Sequence, residues 1–226
     1  MVEVQTHHAD SLEHIFHNRL THTLEVAQLA RRLAEKLRDG QGELLAATLG
    51  TIEPEVAEAA ALAHDLGQPP FGHIAESELN RIITEELGVR DGFEGNAQTF
   101  RVVTKLSIRH LDHPGQNLTR ATLNAVLKYP WFRGRSGWKR KKYGAYSTER
   151  TDLHYARAIQ PRAARLEKSA EAEIMDWADR HRLRRPRRGG LLPRWLHPAG
   201  SLDGCGRRRG LVKQALDSIR ERRLLD

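Results

Sequence analysis

Cys205 is the only cysteine in 226 residues, which excludes an internal disulfide and suits a reducing cytoplasm. No window offers the roughly 18 consecutive apolar residues that a membrane-spanning helix needs, so no membrane partner is expected. The N-terminus, MVEVQTHHADSLEH, lacks the basic-then-apolar pattern of a secretory signal, so a cytoplasmic location is expected. Aromatic residues make up 6% and hydrophobic residues 39%, on the polar side for a globular chain that is long enough for one domain with a core. Convincing strand alternation and internal repeats are missing too. With the helix signals described below, the missing strand alternation predicts an all-α class.

The net charge of +8 invites a nucleic-acid partner, but its distribution argues otherwise. Residues 180–226 hold 14 Lys and Arg against 4 Asp and Glu, while residues 1–179 hold 23 against 25. The body is near neutral, and the whole excess sits in one Arg-rich tail.

Helix signals run from about residue 18 to 179. Leu20, Leu24, Ala27, Ala30, Leu33 and Leu37 recur at steps of three and four, with Gly40 and Gly42 expected to end that stripe. The segment from Glu55 to Leu66 is small or apolar on most sides, as in a helix buried among helices. Gly67 stops it and Pro69-Pro70 prevents resumption. Further helices are predicted over Glu76–Leu87, Asn96–Leu106, Thr119–Leu127 with Thr119 as cap, and Leu166–Asp179. The basic, aromatic and glycine-containing stretch 131–147 reads as a surface loop.

The central feature is His64-Asp65 at the end of the buried helix. An imidazole and a carboxylate in apolar surroundings are costly unless paired or bound to a metal. Adjacent helical residues point about 100° apart, so a shared ion must sit in a crevice with ligands from neighbouring helices. His22 on the first helix is one candidate, and a late carboxylate, Asp176 or Asp179, another. Two imidazoles and two carboxylates suit Mn, Fe, Co or Zn, and Mg less well. On its own an HD dipeptide has a blander reading, in which His64 caps the helix C-terminus and Asp65 pairs with a surface arginine.

The surrounding blocks change that balance. Asn18-Arg-Leu-Thr-His-Thr-Leu-Glu-Val-Ala-Gln28, Ala61-Leu-Ala-His-Asp-Leu-Gly-Gln-Pro-Pro-Phe-Gly-His73, Phe93-Glu-Gly-Asn-Ala-Gln98, Asn117-Leu-Thr-Arg-Ala-Thr122, Leu127-Lys-Tyr-Pro-Trp131 and Glu171-Ala-Glu-Ile-Met-Asp-Trp-Ala-Asp179 resemble, in order, six motifs of the HD-domain deoxynucleoside triphosphate triphosphohydrolases. The resemblance covers roughly residues 15–179. It implies an HD helical bundle, with His22, His64, Asp65 and Asp179 as ligands of a divalent metal cofactor. It further implies His73 and Glu76 as the catalytic histidine and its acidic partner, and Arg19 on a substrate phosphate. Gln68 stands where many relatives have histidine near the phosphates; it keeps a donor but carries no charge. Glu94, Asn96 and Gln98 match the third block without a physical role beyond satisfying helix ends.

The implied chemistry is hydrolysis of a deoxynucleoside triphosphate to deoxynucleoside and triphosphate, a step of nucleotide metabolism. The ion would act as a Lewis acid on the α-phosphate, Arg19 would neutralise charge, and His73 would pass a proton to the leaving oxygen. Family members often form homo-oligomers. Two other readings stand beside it: an HD phosphohydrolase acting on another phosphoester, and a non-catalytic remnant binding nucleic acid through its tail.

After Asp179 the texture changes at once. The family motif continues Asp-Ile-Ala-Tyr, commonly then Ala-Val-His-Asp, whereas this chain reads Arg180-His-Arg-Leu-Arg-Arg-Pro-Arg187. Written CGA CAT CGC CTA CGC CGT CCA CGA and shifted by one base, those residues become GAC ATC GCC TAC GCC GTC CAC, which encodes Asp-Ile-Ala-Tyr-Ala-Val-His. The sequence therefore predicts a lost reading frame at Asp179/Arg180. The expected division is an N-terminal segment 1–14, an incomplete HD domain 15–179, and a poorly structured basic C-terminal tail 180–226. The family's tyrosine falls at Leu183 and its later aspartate at Arg187, which puts the sugar-reading residues out of frame.

Overall fold

A computed structural model describes the backbone of residues 18–49, 52–160 and 166–184, and the side chains of 18–39, 52–160 and 166–180. The expectations for 1–14 and for the tail beyond 184 lie outside these residues. Among the described residues the chain is all-α, with no strand and two isolated β-bridges. The helices are α1 Arg19–Leu49, α2 Pro54–Ala63, α3 Gly72–Arg81, α4 Gly95–Arg101, α5 Arg120–Val126, α6 Trp138–Lys141, α7 Arg150–Arg157 and α8 Ala170–Arg184. α3 and α4 each run on into one π-helical turn, Ile82–Glu86 and Val102–Leu106.

Asn18 starts α1: its Oδ1 accepts the Thr21 amide at 2.8 Å, satisfying an orphan N–H of the first turn. The buried stripe is Val26, Ala27, Ala30, Leu33, Ala34 and Leu37. Leu20 and Leu24, expected in that stripe, are half exposed, because the first turns of α1 serve the site instead of the core. The helix also passes through Gly40 and Gly42 to Leu49, since glycine lowers helix propensity without forbidding it.

α2 opens with Pro54 at its first position, where the missing N–H is no loss. Ala57, Ala60, Ala61 and Ala63 are buried. Small side chains let α1, α5 and α8 close around α2, and it packs against all three. Arg31 of α1 ties the same pair from outside through Glu55 and Glu58 of α2, at 2.9 and 2.6 Å. Phe100, Val103, Leu123, Val126, Leu127, Leu153, Ile174 and Met175 complete one apolar core.

Other boundaries differ from expectation too, α3 among them, which begins at Gly72 and not at Glu76. α2 ends at Ala63, so His64 to Gly67 form a turn instead of a last helical turn. α8 begins at Ala170, where Ser169 Oγ accepts the Ala172 amide at 3.2 Å, and it continues through the expected frame boundary to Arg184. α7 had no counterpart in the sequence reading. Residues 131–147 are not a simple surface loop: Tyr143, Ala145 and Tyr146 are buried, and the exposed positions are 135–141 around α6 and Ser147.

Candidate metal centre

The alanines of α2 bring its C-terminal end against α1 and α8, and the turn that follows carries His64 and Asp65 into the angle between them. From α1 comes His22, one turn after the Asn18 cap, and from α8 comes Asp179. Asp65 Oδ2 lies 3.3 Å from His64 Nε2 and 3.9 Å from His22 Nε2. Asp179 Oδ1 lies 3.4 Å from His22 Nε2 and 3.7 Å from His64 Nε2. Ligand atoms of His22, His64 and Asp65 all fall within 4.8 Å of one another. Three of the four residues expected as ligands thus come together from α1 and the turn after α2, and Asp179 of α8 lies against the two histidines outside that closest set.

His64 supplies the test of whether an ion fits. Its Nδ1 is 2.7 Å from the Ala61 carbonyl, which can only accept, so Nδ1 carries a proton and, in the neutral ring, Nε2 presents its lone pair. That Nε2 is buried without a hydrogen-bond partner. A buried orphan acceptor is unfavourable in a folded chain unless something else meets it, and the helix carbonyl fixes the ring as the outer hydrogen-bond partners of metal-bound histidines do. The donor set, two imidazoles and two carboxylates, fits a borderline divalent ion.

The neighbouring carboxylates also compete for Nε2 of His64, because they favour its protonated form. Burial works against charging His64, but Asp65 and Asp179 outweigh it and hold its pKa above the ordinary imidazole value. Burial likewise opposes ionisation of Asp65 and Asp179, yet both stay below the usual carboxylate range. For Asp65 the offsetting partners are His64, His22 and Lys128. For Asp179 they are His22, His64 and Lys128.

Of the two late carboxylates left open by spacing, the fold separates the roles. Asp179 faces the histidines. Asp176, three residues earlier, is buried among cations, with Lys168 at 2.5 Å, Lys128 at 2.9 Å and Arg180 at 3.1 Å. Lys128 also reaches Asp179 at 3.6 Å, which makes it a neighbour of the centre that sequence reasoning passed over.

The turn after Asp65 is held tightly. The Gly67 amide donates to Thr99 Oγ1 at 2.9 Å, and Thr99 Oγ1 lies 3.3 Å from the His64 carbonyl. A Cβ at Gly67 would meet the Thr99 backbone nitrogen at 2.1 Å, so only glycine lets α4 approach this closely. Arg19 donates to the Gln68 carbonyl at 2.7 Å and to the Pro69 carbonyl at 2.5 Å, so its guanidinium grips the loop between the two halves of the site. The Gln68 carboxamide lies over Gly95, where any Cβ would strike it.

Phe71 and Gly72 adopt positive φ, 66° and 63°, before α3. The left-handed Phe71 is a strained choice for a bulky residue. It turns the chain so that His73 enters the first turn of α3, one turn before Glu76. His73 Nδ1 lies 2.8 Å from Glu76 Oε2, the pairing that i, i+3 spacing predicts. His73 is 81% exposed at its side chain, whereas Glu76 is buried. Glu94 is the N-cap of α4, accepting the Asn96 and Ala97 amides at 2.6 and 3.0 Å, which is the helix-end role left open for that block. Lys142 Nζ sits between Glu76, at 3.1 Å, and Glu94, at 2.9 Å. Its position inside a basic run hid it from sequence reasoning.

A crevice between buried helices that gathers two histidines and two carboxylates is the layout of a metal-dependent HD protein. The HD domain family model matches residues 19–183, and the chain belongs to that family. Among its relatives, the deoxyguanosinetriphosphate triphosphohydrolase-like protein of Streptomyces coelicolor is 43% identical over 166 residues, covering 71% of this chain and 34% of that protein. A protein of the same description numbered 2, from Vibrio cholerae, is 42% identical over 163 residues, 72% of this chain and 35% of its own length. The Caulobacter vibrioides relative is 50% identical over 114 residues, half of this chain and 25% of that protein. The chain thus spans about a third of the length of the first relatives it matches.

Proposed function

We propose that the chain carries the metal-binding and proton-transfer part of a hydrolase that converts deoxynucleoside triphosphates, dGTP among them, to deoxynucleoside and inorganic triphosphate. The observation that carries this is the buried Nε2 of His64, which makes no hydrogen bond and faces the Asp65 and Asp179 carboxylates with His22 beside it. The names of the relatives support the substrate class.

In this reading His22, His64, Asp65 and Asp179 hold a divalent ion, Mn, Fe, Co, Zn or Mg, which when bound supplies Lewis-acid polarisation of the α-phosphate. The remaining steps belong to side chains. Water adds to the α-phosphorus and loses one proton to solvent, the bond from phosphorus to the 5′ oxygen breaks, and that oxygen takes a proton. His73 is placed to give it: with Nδ1 tied to Glu76, Nε2 is the nitrogen free to face substrate. Arg19 spends two of its five N–H donors on the Gln68 and Pro69 carbonyls, and those remaining are available to a phosphate oxygen. Gln68 offers an uncharged donor in the same loop.

The domain division belongs to the same proposal, with 15–179 the incomplete catalytic unit and 180–226 an out-of-frame tail. So do a cytoplasmic setting and homo-oligomers of the intact protein. No helix among the described residues is long and apolar enough to cross a membrane. Resequencing tests the frame: an unambiguous frame encoding this tail in close relatives would refute it. A dNTP panel on the frame-corrected protein tests the reaction. Inorganic triphosphate as product supports the proposal, and orthophosphate supports a phosphohydrolase acting on another nucleotide phosphoester. Full activity in His64→Ala or Asp65→Ala with metal present would overturn the site.

A further inference from the structure

We propose that Lys142 is a positioning residue for the His73–Glu76 pair: its ammonium lies between the Glu76 and Glu94 carboxylates and holds Glu76 against the imidazole. The inference rests on the reading of His73 and Glu76 as the proton-transfer pair, and its geometry stands apart from the metal.

Glu76 is fully subscribed. Oε1 accepts the Gly95 amide at 3.0 Å and Lys142 Nζ at 3.1 Å, while Oε2 meets His73 Nδ1 at 2.8 Å and Lys142 at 3.4 Å. Glu94 Oε1 accepts the same ammonium at 2.9 Å. Two buried carboxylates within reach of one nitrogen repel each other strongly unless a cation lies between them. Glu94 is pinned by three further donors, the Asn96 and Ala97 amides and the Asn96 carboxamide. Apart from Lys142 and His73, Glu76 is held only by the Gly95 amide, so it is the carboxylate that would shift, and His73 is what it would leave.

Lys142 is not a wandering surface lysine. Its carbonyl accepts the Trp131 indole N–H at 2.8 Å, and the buried tyrosines that follow are anchored by their hydroxyls, Tyr143 on the Asp91 carbonyl and Tyr146 on that of Glu94. The protonation directions agree. Burial pushes the Glu94 carboxyl up, with Lys142 the strongest opposing influence. Burial also opposes ionisation of Glu76, yet the Gly95 amide, His73 and Lys142 together hold it below the usual carboxylate range.

The test uses the full 226-residue chain labelled with ¹⁵N-histidine, without metal or nucleotide, and His73→Gln to assign the His73 ring. Long-range proton–nitrogen correlation reads which ring nitrogen carries the proton. The wild type is expected to show Nδ1–H at His73, and Glu76→Gln to lose that signature. Lys142→Met should lose it too, Lys142→Arg should retain it, and Glu94→Gln added to Lys142→Met should restore it by removing the repulsion. If Lys142→Met disturbs folding, Lys142→Gln, which keeps a donor without charge, replaces it in the series. A His73 signature unchanged in Lys142→Met and Lys142→Gln would overturn the inference. Because no substrate is present, this outcome is independent of whether triphosphate is the product.

Discussion

Replacing Asp176 by Asn removes one negative charge from a buried cluster while keeping its shape. Lys168, Lys128 and Arg180 all converge on the Asp176 carboxylate, whose side chain is 5% exposed. Burial alone would raise its pKa, but Lys128 and Lys168 overcome it and bring the carboxyl from 3.8 down to about 2. A depression of that size corresponds to about 2.5 kcal/mol of folding free energy at neutral pH. Removing the anion also strands two largely buried ammonium groups, and breaking a buried pair in this way costs about 3–5 kcal/mol. Arg180, nearly half exposed, adds little. For a domain of this size the loss corresponds to a melting temperature lower by roughly 6–20 °C. The pH dependence has a fixed sign. The folded pKa is depressed, so the wild-type advantage is complete above about 3.8 and disappears as the pH falls through about 2. Thermal melts of wild type and Asp176→Asn between pH 7 and pH 2 should therefore converge toward the acid end. A difference below about 2 °C at pH 7, or one independent of pH, would refute the view of Asp176 as the buried anchor of these lysines.

Other expectations follow from the same geometry. A divalent ion such as Mn or Co at about a hundred times its dissociation constant should stabilise the fold by about 2.7 kcal/mol. His64→Ala should abolish that shift in a thermal melt, and an equal shift in the variant would remove His64 from the ligand set. Gly67→Ala forces a Cβ to 2.1 Å from the Thr99 backbone nitrogen, so a loss of at least about 1–3 kcal/mol is expected in urea unfolding, and an unchanged midpoint would contradict the close approach of α4. If residues 180–226 are an out-of-frame product, their DNA binding should be indifferent to sequence and collapse with salt, and a chain ending at Asp179 should lack it. A sequence preference that survives physiological salt would argue for a functional tail.

The core was legible because it depends on periodicity. Alanine spacing in α2 and the stripe of α1 require only that small and apolar residues recur on one face. Endpoints were less legible, since they are decided by single hydrogen bonds and by tertiary support. Asn18 and Ser169 fix where α1 and α8 begin, and α1 runs on past two glycines that local propensity would have used as a stop. The segment 131–147 misled for a related reason. Its charges announce solvent, yet Tyr143 and Tyr146 point inward and carry Lys142 with them.

The site divides along the same line. His64-Asp65 was conspicuous because charged groups beside a buried helix have few stable explanations, and the ordered motifs supplied His22 and Asp179. The partners that make those groups work are of common types and carry no sequence signature. A backbone carbonyl at Ala61 sets the His64 tautomer, Thr99 grips the turn, and Lys142 balances two carboxylates from different helices. Each is defined by where the fold puts it. Sequence therefore identifies the groups that are expensive to bury, whereas coordinates are needed for the inexpensive neighbours that offset that cost. Lys128 joins both classes: it belongs to a recognisable block, but its place between Asp176 and Asp179 is visible only when α8 is docked against the end of α5.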